Sequence, residues 1–129
     1  MQVVHRIVGF GVVAVFAVGW VWALIAAIAR RDPGRWFWVW LVVAQVVAGL
    51  QAAIGLILLL LGRPIPGALH LVYGFGPLAI LLLGHALARE LAKGKDGQPA
   101  IQPWVVFGAA SFICFGLSLR ALMTGLGLG

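Results

Sequence analysis

Long apolar runs separated by short polar breaks dominate the chain. A transmembrane helix needs about 20 mostly apolar residues, and four windows meet that length, at 5–29, 36–61, 67–88 and 103–124. The breaks carry turn chemistry: Arg31-Asp32-Pro33-Gly34, then Gly62 to Gly67, then Lys93 to Pro103. Only helices and closed barrels satisfy the backbone in lipid, so four long continuous runs predict helices. We therefore expect an all-α integral membrane protein, a single four-helix transmembrane domain over residues 1–129.

Composition favours a membrane protein over a soluble one. Hydrophobic residues make up 64% of the chain and charged residues 9%, whereas a soluble domain carries about 25% charged residues. A net charge of +6 would suggest a nucleic-acid partner for a soluble protein. Here the positive residues lie at the ends of apolar runs without a basic stripe, so we expect membrane lipid around the protein and no nucleic acid.

The loop lysines and arginines predict the orientation in the bilayer, because cytoplasmic loops carry an excess of them. They are concentrated in two breaks, with Arg30, Arg31 and Arg35 in the first and Arg89, Lys93 and Lys95 in the third. The second break holds only Arg63, and the N-terminal segment only Arg6. We expect loops one and three in the cytoplasm and both termini outside, most simply in a prokaryotic plasma membrane.

That topology places two histidines at one depth. His5 lies at the outer start of the first helix and His70 at the outer start of the third, which runs in the same direction. His85 comes 15 residues after His70, about 22 Å further along the axis, and we expect a structural or solvated role for it. Two neutral imidazoles at one depth can supply both axial positions of a haem iron. A Cys-x-x-Cys-His motif is absent from the sequence, so such a haem would be non-covalent.

Neighbouring residues fit a haem pocket. Gly9 and Gly74 each lie four residues from a histidine on the same helix face, where a side chain would obstruct a flat macrocycle or the close approach of a helix. Arg6 and Arg63 lie at the outer interface and Arg120 near the outer end of the fourth helix, where guanidinium groups can pair with haem propionates.

Each of these residues also has an ordinary interpretation in a membrane protein. A histidine at a helix end can be solvated, glycines serve helix packing, and arginines favour interfaces. Gln51, near the middle of the second helix, either makes an interhelical hydrogen bond or bonds to a cofactor edge.

Two segments, "HRIVGFGVVAV" and "QAAIGLILLLLGRPIPGALHLVYG", resemble in content and order one half of the haem A synthase family. The resemblance covers about residues 4 to 88. The family has eight spans in two related four-helix halves, each with a His-Arg, a Gln followed by a Gly, and a later histidine. The matching positions here are His5 and Arg6, Gln51 and Gly55, and His70. The resemblance implies that His5 and His70 are axial haem ligands near the outer face.

The chain departs from the family's substrate half at one position. That half carries a glutamate, a candidate catalytic acid, three residues before its first histidine, and Gln2 occupies the position here. An amide cannot ionise in its place. The chain therefore resembles more closely the half that holds a permanent haem b, and we do not expect it to be an enzyme on its own.

Three functions remain open from the sequence. The favoured one is a haem b-binding, bis-histidine cytochrome that passes electrons to a quinone or another redox partner, or belongs to a larger respiratory complex. Two axial histidines leave no open iron position, which suits electron transfer. The second is a half-size haem-modifying enzyme that forms a homodimer. The third is a cofactor-free accessory subunit, which would be colourless.

Overall fold

Four long helices make up the part of the chain that the structure describes. The computed structural model describes residues 2–94, residue 98 and residues 101–128. The helices are α1 (Gln2–Ile28), α2 (Arg35–Leu60), α3 (Ala68–Leu91) and α4 (Pro103–Gly125). All four are long and apolar enough to cross a membrane, which confirms the predicted all-α transmembrane bundle. Lys95, one of the cations of the third break that predict the orientation, lies outside the described residues.

Turn residues set the helix ends. Gly34 precedes α2 with φ 85° and Gly62 follows it with φ 76°, conformations that residues with a Cβ rarely adopt. The Asp32 Oδ1 accepts a hydrogen bond from the Gly34 N–H at 2.7 Å, which closes an Asx turn. Pro103 begins α4, at a position where its missing N–H leaves no helical bond unmade.

The helices form an antiparallel bundle with one loosely packed side. α4 packs closely against α1 and α3, α1 packs against α2, and α2 and α3 touch least. His5 at the start of α1 lies against Gly55 near the end of α2, and His70 at the start of α3 lies against Gly125 at the end of α4. We call this the histidine end of the bundle.

Two apolar clusters fill the bundle away from the histidine end. The central cluster comprises Val12, Phe16, Ala44, Ala48, Leu81 and Cys114. The second, toward the opposite end, comprises Ala23, Phe37, Leu41 and Phe107. Phe16 and Phe37 are completely buried, so they stabilise the packing of the helices in the middle and at the far end of the bundle.

The crossing of α1 and α4 at Gly108 leaves no room for a side chain. A Cβ at Gly108 would lie 2.6 Å from the Ala23 Cβ, and neither group can rotate away. We expect Gly108→Ala to lower the free energy of unfolding in detergent by about 1–3 kcal/mol, the usual cost of overpacking. Gly116→Ala on the same helix is the control, because its added Cβ meets nothing within 4 Å. Equal stability of the two variants would contradict this packing.

Candidate functional site

A cavity of about 320 Å³ lies at the histidine end, lined by all four helices and the loop between α2 and α3. Its volume is within the range of small-molecule sites. The predicted site residues that line it are His5, Arg6, Gly9, Gln51, Arg63, His70 and Gly74. Gln2 and Gly55 line it as well. Arg120 is exposed, and its guanidinium lies 5.6 Å from the ring centroid of Tyr73, which is part of the lining.

The two histidines that the sequence places at one depth lie side by side. Their ring centroids are 6.1 Å apart, and the ring planes make an angle of 71°. Two imidazoles on opposite sides of one metal ion, each bound at about 2.0–2.1 Å, place their centroids roughly 6 Å apart. The spacing of His5 and His70 therefore fits a shared iron.

The His70 ring is held by the last turns of α4. Its Nδ1 lies 3.0 Å from the Ala121 carbonyl oxygen and 2.9 Å from the Thr124 Oγ1. A carbonyl oxygen only accepts hydrogen bonds, so the Ala121 contact favours the tautomer with the proton on Nδ1, in which Nε2 has the lone pair. A ring N–H donated to a backbone carbonyl is the usual arrangement of metal-ligating histidines.

The His5 side of the site is built differently. The Gln51 Nε2 donates a hydrogen bond to the His5 backbone oxygen at 2.8 Å, which ties the first turn of α1 to α2. The imidazole packs on Gly55, where an added Cβ would lie 3.1 Å from the His5 Cε1. Within the described part of the chain, the buried His5 Nδ1 and Gln51 Oε1 have no hydrogen-bond partner. Both atoms therefore retain bonding capacity at the cavity.

The two glycines at equal offset from the histidines have different surroundings. A Cβ at Gly9 would lie 3.1 Å from the Gln51 Nε2, so Gly9 permits the close approach of α2. A Cβ at Gly74 would meet no protein atom within 4 Å, and Gly74 lines the cavity. Both glycines line the cavity, but only at Gly74 would an added Cβ extend into open space.

His85 belongs to the opposite end of the bundle. Its Nε2 lies 2.9 Å from the Gln45 Oε1, and its ring meets Phe107 edge-on with centroids 4.8 Å apart. These contacts join α2, α3 and α4, and the structural or solvated role of His85 remains a prediction.

Sequence reasoning missed Tyr73, Thr124 and Gly125. The predicted topology already puts the end of the fourth helix at the depth of His70, so the hydroxyl of Thr124 was a detectable signal. A Cβ at Gly125 would lie 3.2 Å from the His70 Cε1. That contact depends on the rotation of α4 about its axis, for which an apolar sequence gives no signal.

Two histidines are too few to hold a structural metal ion by themselves. Among the described residues there is no group of three or more His, Cys, Asp or Glu side chains that could hold a metal. A structural zinc site takes four protein ligands. A haem iron needs only axial ligands from the protein, and the two histidines meet that need.

Comparison of the chain with protein-family models, curated proteins and solved structures found no match.

Proposed function

We propose that the protein binds haem b non-covalently through His5 and His70 and acts as a small bis-histidine cytochrome of the membrane. The observation that carries this proposal is the pair of imidazoles lining one cavity with centroids 6.1 Å apart. The proton on the His70 Nδ1, inferred from its two oxygen partners, supports it further. When bound, the haem supplies one-electron redox chemistry.

The remaining lining residues bind and orient the ligand in this proposal. Arg6 and Arg63 are exposed and line the cavity, so they can pair with propionates without leaving water. Arg120 beside Tyr73 adds a third cation.

The cavity chemistry favours electron transfer over haem modification. The cavity lining among the described residues contains no Asp or Glu, and Gln2 lines it at the position where the haem A synthase substrate half has its glutamate. We infer kinship with the half of that family that holds a permanent haem. Product analysis after incubation with haem O should show no haem A. Conversion by the purified protein would support the homodimeric enzyme instead.

We propose that the histidine end faces the outside of a prokaryotic plasma membrane, with loops one and three in the cytoplasm. Arg30, Arg31 and Arg35 lie between α1 and α2 or at the start of α2, at the end opposite the histidines, which supports this orientation. A C-terminal alkaline phosphatase fusion should be active, and an inactive fusion that is still expressed would reverse the orientation. Electrons would then be exchanged near the outer face, with a quinone or a larger respiratory complex as the redox partner.

Haem titration of the detergent-purified protein tests haem binding. We expect saturation at one haem per chain and, after dithionite reduction, the sharp α-band of a six-coordinate b haem. Arg6→Gln and Arg63→Gln should each weaken binding by up to about fivefold, as exposed ion pairs contribute little. Arg89→Gln at the opposite end is the control. A protein that stays colourless with excess haem would favour the cofactor-free subunit, in which the rings make a plain edge contact.

A further inference from the structure

We infer that Thr124 is a positioning residue for His70. Together with the Ala121 carbonyl, its hydroxyl holds the imidazole in the form protonated on Nδ1 and leaves the Nε2 lone pair for a ligand in the cavity. This inference rests on the proposed function, because it concerns how His70 serves as an axial ligand.

The hydrogen bonds around Thr124 indicate which atom donates and which accepts in each contact. Thr124 is only 7% exposed, and its hydroxyl donates to the Ala121 oxygen at 2.9 Å. Because the hydroxyl proton is donated to Ala121, the Thr124 Oγ1 accepts a hydrogen bond from the His70 Nδ1, which lies 2.9 Å away. The Ala121 oxygen, 3.0 Å from Nδ1, accepts as well. With the hydroxyl donating to Ala121, both oxygens act as acceptors and favour a proton on Nδ1.

The position of this contact at the end of α4 adds an electrostatic effect. Ala121 lies near the C-terminus of the helix, which ends at Gly125, and carbonyls there form the negative end of the helix dipole. Negative partial charge against the Nδ1–H increases the electron density on Nε2 and makes it a stronger donor. A stronger donor stabilises the oxidised iron, so the Thr124 hydroxyl should lower the reduction potential of the haem.

The two ligands of the proposed haem are therefore unequal. His70 is fixed by two oxygen atoms on α4, and Gly125 lets its ring approach that helix closely. The His5 Nδ1 has no corresponding partner among the described residues. Loss of the Thr124 hydroxyl consequently acts on one side of the iron only.

Three variants separate this role from a merely structural one. Thr124→Val removes the hydroxyl and keeps the branched shape, whereas Thr124→Ser keeps the hydroxyl. Ser111→Ala is the matched control, since Ser111 is also a buried hydroxyl of α4 but lies against Gly19 of α1 and is not part of the cavity lining.

Haem titration and potentiometry of the full-length protein give the first readout. Thr124→Val should bind haem about tenfold more weakly, in the range usual for lost supporting contacts, and its midpoint potential should shift upward. Thr124→Ser and Ser111→Ala should remain close to wild type. Unchanged affinity and potential in Thr124→Val would overturn the inference.

Nitrogen-15 NMR of histidine-labelled full-length protein without added haem gives a second readout. In wild type the His70 ring should be protonated on Nδ1, and Thr124→Val should lower the population of that form while Ser111→Ala does not. An identical population in wild type and Thr124→Val would count against the role of Thr124. Failure of wild type to take up haem would instead contradict the proposed function, and the NMR result would still decide the role of Thr124.

Discussion

His70→Ala is expected to abolish stable haem binding, and His5→Ala to leave a weakly held, five-coordinate haem. The two effects differ because the His70 imidazole is fixed by α4 through two hydrogen bonds, whereas the His5 ring has none to the described residues. Removing the better-supported ligand therefore removes more of the binding energy. The measurements are haem per chain after purification and the reduced-minus-oxidised absorption spectrum.

A matched histidine and a chemical rescue make this prediction specific. His85→Ala removes the same side chain at the opposite end of the bundle, where it bonds to Gln45, and should leave haem content and spectrum unchanged. Added imidazole should restore the six-coordinate spectrum to His5→Ala by occupying the vacated position. Wild-type haem content and spectrum in both His5→Ala and His70→Ala would show that neither residue is a ligand.

Gly55→Leu is expected to lower haem affinity nearly as much as loss of a ligand does, although residue 55 itself needs no contact with the haem. An added Cβ at Gly55 would lie 3.1 Å from the His5 Cε1. The larger leucine side chain must therefore displace the His5 ring. Supporting groups of a metal ligand typically contribute 10- to 100-fold in affinity. We therefore expect haem affinity to fall by about tenfold or more, measured by titration of the purified variant.

Gly49→Leu is the control for this substitution on the same helix. A Cβ at Gly49 meets nothing within 4 Å, so the variant should bind haem like wild type. Equal helical circular dichroism of the two variants would exclude unfolding as the cause of any loss. Full wild-type affinity in Gly55→Leu would mean that the position of His5 beside α2 is irrelevant to binding.

The fold was predictable because lipid imposes a simple pattern. Each helix requires a long apolar run, and the residues that end the runs are turn formers with specific conformations, as at Gly34 and Gly62. The four predicted windows agree with the helices to within three residues at every end. The orientation in the membrane and the single-domain organisation remain predictions.

The pairing of the histidines followed from topology, whereas their surroundings did not. Helices one and three run in the same direction, so His5 and His70 had to share an end. The contacts of each residue depend on how its helix is rotated, and lipid-facing and core-facing positions are both apolar in a membrane protein. Gly9 and Gly74 therefore looked equivalent in sequence, yet an added Cβ would meet Gln51 at Gly9 and no protein atom within 4 Å at Gly74. The close contact of His70 with Gly125 was hidden for the same reason.

Near-infrared magnetic circular dichroism of the oxidised, haem-loaded wild-type protein tests the central claim most directly, because its charge-transfer band reports which pair of axial ligands holds a low-spin haem iron. Ligation by His5 and His70 predicts the low-spin band of a bis-imidazole haem. A high-spin spectrum, or a band of any other ligand pair, would contradict the assignment of these two histidines.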